Sequence, residues 1–196
     1  MKIYGFFKIG TEADKYASSL QDTIRSQDSA NLYGWIIDLR GDIGGNLWPM
    51  LVGPILGSGI CGYYIDPDGN AEPWTYNNGS AIDGTSTYST VFIPYTLIKP
   101  NPKVAVLVNN ITSGIGEAFA IAFIGRNNTR IFGVPTGEIT MASDGYTLSD
   151  GANLYLANSV MADRNKNNFE TSVIPDVTIT NNADIFPQAV QWLKTP

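Results

Sequence analysis

Residues 104–124 constrain the fold more than any other part of the chain, because the character of the sequence changes there twice within a few positions. Val104-Ala-Val-Leu-Val108 contains only apolar residues, which is typical of a strand covered on both faces, as in parallel sheets. Small residues follow at 112–116, and residues 117–124 then favour a helix that is apolar nearly all round. A sharp strand-to-helix turn presents a side chain at the edge of a sheet and directs free helix N–H groups at its neighbour. Such a turn can hold a nucleophilic serine and half of an oxyanion hole.

The N-terminal part of the chain predicts a strand followed by a helix. Residues 2–9 are apolar and aromatic enough for a first strand, which Gly10 ends. Thr11 and Asp14 have the spacing of a capping box, and apolar residues recur at helical spacing after them. These apolar positions are Ala13, Tyr16, Ala17, Leu20 and Ile24. The abrupt start on a strand suggests that the chain is cut from something longer.

A second strand and a second helix follow. Residues 35–39 predict a buried strand, and a glycine-rich turn occupies residues 40–46. Asn46 is placed to cap a helix over residues 47–56, with Pro49 tolerated in its first turn and Pro54 kinking or ending it. The order β-α-β-α predicts a parallel sheet with right-handed crossover connections.

The rest of the chain is predicted to be richer in strands and loops. Between residues 57 and 102, Gly, Asn, Asp, Ser and Thr punctuate short aromatic runs, which indicates hairpins in a β-rich insertion rather than a separate domain. This insertion is a candidate wall for a substrate groove. Further patterns predict a strand at 130–134, a turn at 135–140, a strand with one wet face at 153–161, a loop at 162–171, an edge strand at 173–179 and a closing helix at 184–193.

Length and charge exclude several classes of partner. The 196 residues predict a single domain, residues 1–196, with enough chain to bury a core. The net charge of -6 argues against nucleic acid or an anionic membrane as the partner. No apolar run reaches the roughly 18–20 residues that a membrane-spanning helix needs. We therefore predict no membrane-spanning segment.

The absence of histidine restricts the chemistry further. A chain with 0 histidines lacks the commonest general base, the commonest metal ligand and every Ser-His-Asp triad. The single cysteine, Cys61, excludes an internal disulfide and a cysteine-based metal cluster. We expect no metal and no cofactor. Any acid–base catalysis has to use Lys, Asp, Glu, Tyr or water.

Several motifs, in order along the chain, resemble those of the C-terminal-processing, or tail-specific, serine peptidases. Gly34-Trp-Ile-Ile-Asp-Leu-Arg-Gly-Asp-Ile-Gly-Gly-Asn46 is similar to the family signature Asp-Leu-Arg-x-Asn-x-Gly-Gly. Asn109-Asn-Ile-Thr-Ser-Gly-Ile-Gly-Glu117 is similar to the nucleophile turn, usually Thr-Ala-Ser-x-[Ser/Gly]-Glu. Later motifs are matched in order and spacing at Phe132-Gly-Val-Pro-Thr136, Leu148-Ser-Asp-Gly151 and Ile174-Pro-Asp-Val177. The resemblance covers nearly the whole chain but lacks the usual N-terminal portion, including the PDZ domain that many members carry.

This resemblance implies both a fold and an activity. The fold is a crotonase/ClpP-like α/β spiral with a mostly parallel sheet, flanking helices and the β-rich insertion. The activity is serine endopeptidase action on extended or C-terminal peptide segments, with a peptide or protein as the substrate. Family members are commonly exported, so the resemblance also implies an extracytoplasmic location.

The same motifs contain the residues that would serve such a reaction. The N–H groups of Gly44, Gly45 and Ile115 are the natural oxyanion donors, because glycine lets the chain approach a substrate carbonyl closely. Asp38 and Arg40 are similar to family scaffold residues, with the arginine bracing the turn. Glu117 lies in the first turn of the predicted helix, where the helix dipole favours an acid, and we interpret it as structural.

The sequence departs from the family at the two positions that carry the chemistry. An alignment of Thr112 and Glu117 without gaps puts the nucleophilic serine at Gly114 and not at Ser113. The family's lysine base, which follows a Thr-x-Gly turn, falls on Ile139. No histidine is present to replace that lysine, so the base is missing as well as the nucleophile.

Three explanations are compatible with these departures. Gly114 is an engineered replacement of serine, or Ser113 is the working nucleophile with a one-residue shift in the turn, or the chain is a natural pseudopeptidase. A missing lysine is weak support for the third explanation, because Glu138 or Asp144 in the adjacent loop is available as a base.

The leading hypothesis is a peptidase core domain that binds an extended peptide in a groove near the Gly44-Gly45 and Ser113-Gly114 turns. The peptide would add a strand beside an exposed sheet edge. The rival hypothesis is a peptide-binding module without catalysis. A third hypothesis, a crotonase-like enzyme acting on acyl-CoA thioesters, has no basic site for the nucleotide phosphates in this sequence.

Overall fold

The computed structural model describes residues 1–45 and 49–196. Within these residues the helices are α1 (Thr11–Gln27), α2 (Gly53–Leu56), α3 (Ile115–Phe123) and α4 (Asn182–Leu193), and a 3-10 helix spans Pro49–Val52. The strands are β1 (Trp35–Asp38), β2 (Gly59–Ile65), β3 (Ala71–Asn77), β4 (Ser80–Asp83), β5 (Ser86–Thr90), β6 (Val104–Val108), β7 (Thr129–Gly133), β8 (Met141–Thr147), β9 (Asn153–Asp163), β10 (Asn168–Phe169) and β11 (Val177–Thr178). No described helix is long and apolar enough to span a membrane.

A parallel sheet forms one layer of the molecule, in the order β1-β6-β7-β11. Its central strand, β6, is buried at every residue. Val104, Val106 and Val108 belong to the larger core cluster on one face, whereas Ala105 and Leu107 belong to a smaller cluster that includes residues of α4. The prediction of a doubly covered parallel strand is therefore confirmed.

An antiparallel sheet forms the second layer, in the order β10-β9-β2-β3-β4-β5, with β8 paired to β9. Helix α3 contacts β6 of the parallel sheet and β2 and β9 of the antiparallel sheet. Every residue from Gly116 to Phe123 is buried. A helix between two sheets needs apolar residues on all sides, which explains its composition.

The segment predicted as β-rich, residues 57–102, contains strands β2 to β5. Strand β2 pairs with β3 on one side and with β9 on the other, so this segment shares a sheet with the C-terminal half of the chain. Hydrogen bonds between distant segments of this kind leave no local signal in the sequence. The sequence therefore predicted the strands but not the sheet that they build.

The N-terminal predictions need two corrections. Residues 2–9 do not form a strand but make isolated parallel bridges, from Lys2 to Asp38 and from Phe6 to Gly45. The loop after β1 turns away between these points, so a continuous ladder cannot form. The capping box is also wrong, because Gly10 is the N-cap of α1 and the Asp14 carboxylate accepts hydrogen bonds from Ser89 Oγ and Thr90 N on β5. Burial of Ala13, Ala17, Leu20 and Ile24 confirms the apolar face of α1.

The predicted helix over 47–56 is only partly regular. Asn46, its predicted cap, lies outside the described residues, as do residues 47 and 48. The rest divides into the 3-10 helix and the single turn α2, and Pro54 falls at the start of that turn. Proline has no N–H to donate, so two prolines five residues apart interrupt the hydrogen bonds of a longer α-helix.

Three later elements also differ from the prediction. Strand β8 lies over residues 141–147, where no strand was predicted. Its residues are mostly exposed, so they show no pattern of burial, and the strand is held by pairing with β9. The predicted loop at 162–171 contains the two-residue strand β10. The edge strand at 173–179 shortens to β11, where the Asp176 carboxylate accepts the Ile131 N–H at 2.7 Å.

Candidate active site

Two loops meet at the carboxyl ends of β1 and β6. These strands are parallel neighbours, so the segments that follow them leave the sheet at the same edge. The Thr112 hydroxyl donates to the Leu39 carbonyl at 2.9 Å, and the Gly41 N–H donates to Asn109 Oδ1 at 3.0 Å. These hydrogen bonds fix the glycine-rich loop against the turn that begins α3.

Gly114 is the N-cap of α3 and has φ 56° and ψ -121°. A non-glycine residue is strained at this positive φ, and nucleophiles at strand-to-helix turns carry such strain. A Cβ built on Gly114 would have no other atom within 4 Å. A side chain at position 114 would therefore project into open space.

Gly44 and Gly45 lie beside this turn with φ 94° and 121°. A Cβ on Gly44 would be 3.0 Å from the Ile115 nitrogen, and one on Gly45 would overlap the Phe6 carbonyl. Only glycine permits these approaches without displacement of the neighbouring backbone. The N–H groups of Gly45 and Ile115 have no hydrogen-bond acceptor among the described residues, whereas the Gly44 N–H donates to Asp42 Oδ1 at 2.9 Å.

A cavity of about 390 Å³ opens at this place. The described residues that line it are Ile43, Gly44, Gly45, Tyr64, Gly114, Ile115, Met141, Ala142, Ser143 and Met161. Among these side chains, only Tyr64 and Ser143 carry a hydroxyl, and none is a carboxylate or an amine. Burial, with smaller contributions from the charges of Asp83 and Tyr88, raises the pKa of Tyr64 well above its usual range. The described lining thus offers backbone donors but no general base at neutral pH.

Ser113 does not line the cavity. Its Cβ would lie 3.1 Å from a Cβ built on Gly137, so the side chain faces the turn at residues 136–139. Its main chain is held on both sides, because the Ser113 N–H donates to Asp42 O at 2.9 Å and its carbonyl accepts from Gly116 at 3.0 Å. The structure brings Gly114, and not Ser113, to the cavity.

Glu117 is fully buried and holds the turn together. Its carboxylate accepts from the N–H groups of Gly114 at 3.1 Å, Glu138 at 3.1 Å and Ile139 at 2.8 Å, and from the Thr136 hydroxyl. A carboxylate with four donors on it has no lone pair directed at a substrate in the cavity. This geometry is that of a structural residue.

The predicted bases lie away from the cavity. Glu138 has an exposed side chain, a φ of 67° and a main-chain N–H bound to Glu117. Asp144 is exposed on β8, one residue beyond Ser143, and does not line the cavity. Ile139, at the family's lysine position, has 55% of its surface exposed.

Asp38 and Arg40 form a two-point ion pair at the end of β1. Arg40 Nε donates to Asp38 Oδ1 at 2.8 Å, and its Nη2 lies 2.7 Å from Asp38 Oδ2. Burial raises the pKa of Asp38, but the hydrogen bonds and charge of Arg40 outweigh it and leave the pKa below its usual value. Arg40 also donates to the carbonyl of Asn182 at 3.1 Å, so it connects the loop to the start of α4.

Sequence reasoning missed most of the cavity wall. Tyr64, Met141, Ser143 and Met161 come from β2, β8 and β9, and no local pattern places these strands opposite Gly114. Asp42 was also missed, although it carried a signal: it stands where the family signature has asparagine. Its side chain is buried and its main chain contacts the nucleophile turn.

A model of peptidase family S41 matches residues 1–179. The chain therefore belongs to peptidase family S41, and the resemblance to C-terminal-processing peptidases is confirmed. This family places the chain among the hydrolases of the serine peptidase class.

Individual relatives agree with this family and with the fold. The nisin-resistance protein of Lactococcus lactis subsp. lactis is 34% identical over 188 residues, which make up 94% of this chain and 56% of that protein. A lipoprotein from Streptococcus agalactiae has a similar structure, with a TM-score of 0.76, 24% identity and coverage of 98% of this chain and 64% of the lipoprotein. The photosystem II D1 C-terminal processing protease matches with a TM-score of 0.64 and 20% identity, over 92% of this chain and 42% of that protein. The chain thus spans a little more than half the length of its curated relative.

These structural likenesses confirm the fold class. The mixed α/β architecture, with a parallel sheet, a curled antiparallel sheet and flanking helices, is the architecture of S41 proteases. The parallel strands form the smaller of the two sheets. The larger share of strands is antiparallel, which the β-α-β-α pattern of the N-terminal part did not indicate.

Proposed function

We propose that this chain is the core domain of an S41 peptidase that takes up extended or C-terminal peptide segments, and that in this form it binds them without cutting them. The observation that carries the proposal is the position of Gly114. It has the backbone of a nucleophile turn, faces the cavity beside the N–H groups of Gly45 and Ile115, and has no hydroxyl. A serine at position 114 would supply the missing nucleophile.

The outer edge of β8 is the docking strand for the peptide. Strand β8 pairs with β9 along its whole length, and no described strand pairs with its other edge. Its first three residues, from Met141 to Ser143, line the cavity, so a peptide along this edge continues directly to Gly114. Main-chain hydrogen bonds to β8 supply affinity in the manner of strand addition.

The walls of the cavity favour apolar side chains in the peptide. Ile43 and Met141 line it with 59% and 45% of their surfaces exposed. Burial of such surface on binding stabilises a complex by about 25 cal/mol per Å². A peptide carbonyl placed between Gly45 and Ile115 then accepts from two backbone donors, as an oxyanion does in an active peptidase.

Hydrolysis is not expected because both groups that acyl transfer requires, a nucleophile and a base, are missing. Gly114 provides no oxygen to attack a carbonyl, and no described residue that lines the cavity provides a base at neutral pH. A base from a part of the protein beyond this chain would not change the outcome, because the nucleophile is still missing. Ser113 is the alternative nucleophile, and its side chain faces Gly137 rather than the cavity.

The test combines peptide binding with covalent labelling. Nisin, chosen because a relative is a nisin-resistance protein, and a mixture of fluorescent decapeptides serve as ligands. The native chain is expected to bind peptide, to leave it intact and to resist a fluorophosphonate reagent. The Gly114→Ser variant is expected to retain binding but to react with the reagent only slowly at position 114, because no described residue that lines the cavity provides a base to activate the new hydroxyl.

Gly10→Ser is the matched control for this variant. Gly10 is the N-cap of α1 with φ 60° and ψ -137°, and its Cβ would also meet no atom within 4 Å. A serine there has the same backbone strain and the same freedom, but no cavity. Labelling of native protein at Ser113, with peptide cleavage, would overturn the proposal in favour of an active enzyme, and absence of peptide binding would overturn the peptide site itself.

A relative of similar fold also supports a proposal about the location of the whole protein. One relative of similar fold is a lipoprotein, so the extracytoplasmic side of a membrane is the expected location of the whole protein. Digestion of intact cells with an added protease tests this, because an extracytoplasmic protein is degraded while a cytoplasmic marker survives. Protection of the protein until the cells are lysed would contradict it.

A further inference from the structure

Asp42 is a buried carboxyl group beside the candidate oxyanion donors. It stands where the family signature has asparagine, and only 2% of its surface is exposed. Gly116, in the first turn of α3, makes this burial possible, because a Cβ on Gly116 would lie 3.2 Å from Asp42 Cγ. The carboxyl group therefore packs directly against the turn that holds Gly114.

Asp42 connects the two loops of the site. Its Oδ1 accepts the Gly44 N–H at 2.9 Å, and its main-chain carbonyl accepts the Ser113 N–H at 2.9 Å. The first bond takes the Gly44 donor away from the cavity. The free donors that remain in the described site are the N–H groups of Gly45 and Ile115.

No described cation neutralises Asp42. Arg40, the nearest basic residue in the same loop, is paired with Asp38. Tyr16 on α1 is the titratable group whose pKa the charge of Asp42 affects, and Glu117 follows Gly116 in the first turn of α3. Burial and then the charge of Asp42 raise the pKa of Tyr16, so its phenol is neutral at physiological pH. Glu117 adds a second carboxyl group and no positive charge.

We propose that Asp42 makes this site select neutral carbonyl groups and reject anions, so that the chain prefers internal or amidated peptide segments to free C-terminal carboxylates. Asp42 accepts the N–H of Gly44, the residue next to the donor Gly45, and its negative charge repels a bound carboxylate through a poorly screened interior. An amide carbonyl carries no net charge and is not repelled. The asparagine of the family signature has no such effect, because it is neutral. This inference rests on the proposed peptide site.

The test uses two peptides that differ only at the C-terminus. One ends in an apolar residue with a free carboxylate, and the other ends in the same residue as an amide. Calorimetry at pH 8 with the native chain should show the amide binding at least about tenfold more tightly than the acid. In Asp42→Asn the preference should fall to about twofold or less, mainly because the acid binds better.

Asp68→Asn is the charge-matched control, because Asp68 is exposed and does not line the cavity. It should keep the preference of the native chain. Asp42→Asn keeps an oxygen that can accept the Gly44 N–H, so the loop should stay in place, and its circular dichroism and unfolding midpoint show whether it does. A merely structural role for Asp42 would change both affinities together and leave their ratio constant.

A pH series on the native chain gives a second readout without any substitution. Burial, opposed by the hydrogen bond from Gly44, raises the pKa of Asp42. A peptide C-terminus has a pKa of about 3.3–3.7, whereas the pKa of Asp42 is raised, so Asp42 takes up its proton before the peptide does as the pH falls. The preference for the amide should therefore decrease as the pH falls from 8, and Asp42→Asn should lack this decrease.

The outcomes separate this inference from the proposed function. Equal binding of the two peptides by the native chain, unchanged in Asp42→Asn, would overturn the selectivity and leave the peptide site intact. Absence of binding by both peptides would overturn the peptide site. Tighter binding of the acid would show that the donors dominate over Asp42, which also contradicts the inference.

Discussion

The N-termini of α1 and α3 have nearly the same backbone and opposite surroundings. Gly10 and Gly114 are both N-caps, with φ of 60° and 56° and ψ of -137° and -121°, and neither Cβ would meet another atom. Gly10 is exposed at the surface, whereas Gly114 faces a cavity beside a second glycine-rich loop. The backbone of a nucleophile turn is therefore not sufficient to make a site. The loop after β1 makes the difference, because it brings donors and a buried carboxyl group to only one of these two turns.

Glu117 in the first turn of α3 and Asp14 in the first turn of α1 hold the two helix N-termini in different ways. Glu117 accepts four hydrogen bonds and ties α3 to the turn at residues 136–139. Asp14 accepts two hydrogen bonds from β5, at 2.8 Å and 3.1 Å. The α3 end is buried and cross-linked by polar contacts. The α1 end is joined to β5 by the two hydrogen bonds of one half-buried carboxylate.

The largest difference in stability between the two helix ends is expected when the acid in the first turn of each helix, Glu117 or Asp14, is replaced by alanine. Glu117→Ala leaves buried donors unpaired and a void, and should lower the free energy of unfolding by about 3–5 kcal/mol. Asp14→Ala removes two hydrogen bonds nearer the surface and should cost about 1–2 kcal/mol. Urea denaturation of both variants measures the difference. Equal losses would show that the two ends are held equally well and that the comparison is wrong.

A methyl group added to the loop after β1 should lower stability and peptide binding more at Gly44, which faces α3, than at Gly41. In Gly44→Ala the new Cβ lies 3.0 Å from the Ile115 nitrogen at a φ of 94°, so strain and contact together should cost about 2–3 kcal/mol and weaken peptide binding. Gly41→Ala is the control, because Gly41 also has a positive φ of 81° but its Cβ would meet no atom within 4 Å. It should cost about 1 kcal/mol and leave peptide binding unchanged. Similar peptide affinities in both variants would mean that Gly44 does not border the bound peptide.

Alanine at each N-cap should separate backbone strain from function. Gly10→Ala and Gly114→Ala should each cost about 1–2 kcal/mol, because the φ angles agree and both methyl groups enter open space. Only Gly114→Ala should alter peptide binding, since only its methyl group enters the cavity. Thermal unfolding and fluorescence titration of the two variants check these expectations. A cost at Gly114 that greatly exceeds the cost at Gly10 would indicate a contact that the open space at Gly114 does not provide.

The sequence predicted the α3 end well because its signal is local. The run from Val104 to Val108, the small turn and the apolar helix are contiguous, and each step follows from burial. The family resemblance then assigned Gly114 and Ile139 to the missing nucleophile and base, and the family itself is confirmed. The roles of those two positions stay predictions.

The rest of the site could not be read from local patterns. Met141, Ser143 and Met161 lie on strands held by partners distant in the chain, and β8 has mostly exposed residues and no pattern of its own. The β-α-β-α order indicated the parallel sheet but had no bearing on the antiparallel one. Asp42 differs from asparagine by one charged group, and its importance depends on burial, which a single sequence does not display.

The smallest effect is the pH dependence of stability that Asp42 should introduce at the α3 end. Its pKa in the folded chain is raised, chiefly by burial, above the value of about 3.9 in an unfolded chain. The native state thus holds its proton more firmly than the unfolded state, so stability should decrease as pH rises from about 4 through the folded pKa. Asp42→Asn removes this dependence, and its advantage over the native chain should grow from near zero at pH 4 to less than about 1 kcal/mol at pH 8, because the hydrogen bond from Gly44 offsets part of the cost of burying the charge. Urea titrations of both proteins across that range measure the difference, and an advantage that instead grows toward low pH would mean that Asp42 is stabilised as a carboxylate and cannot repel anions from the site.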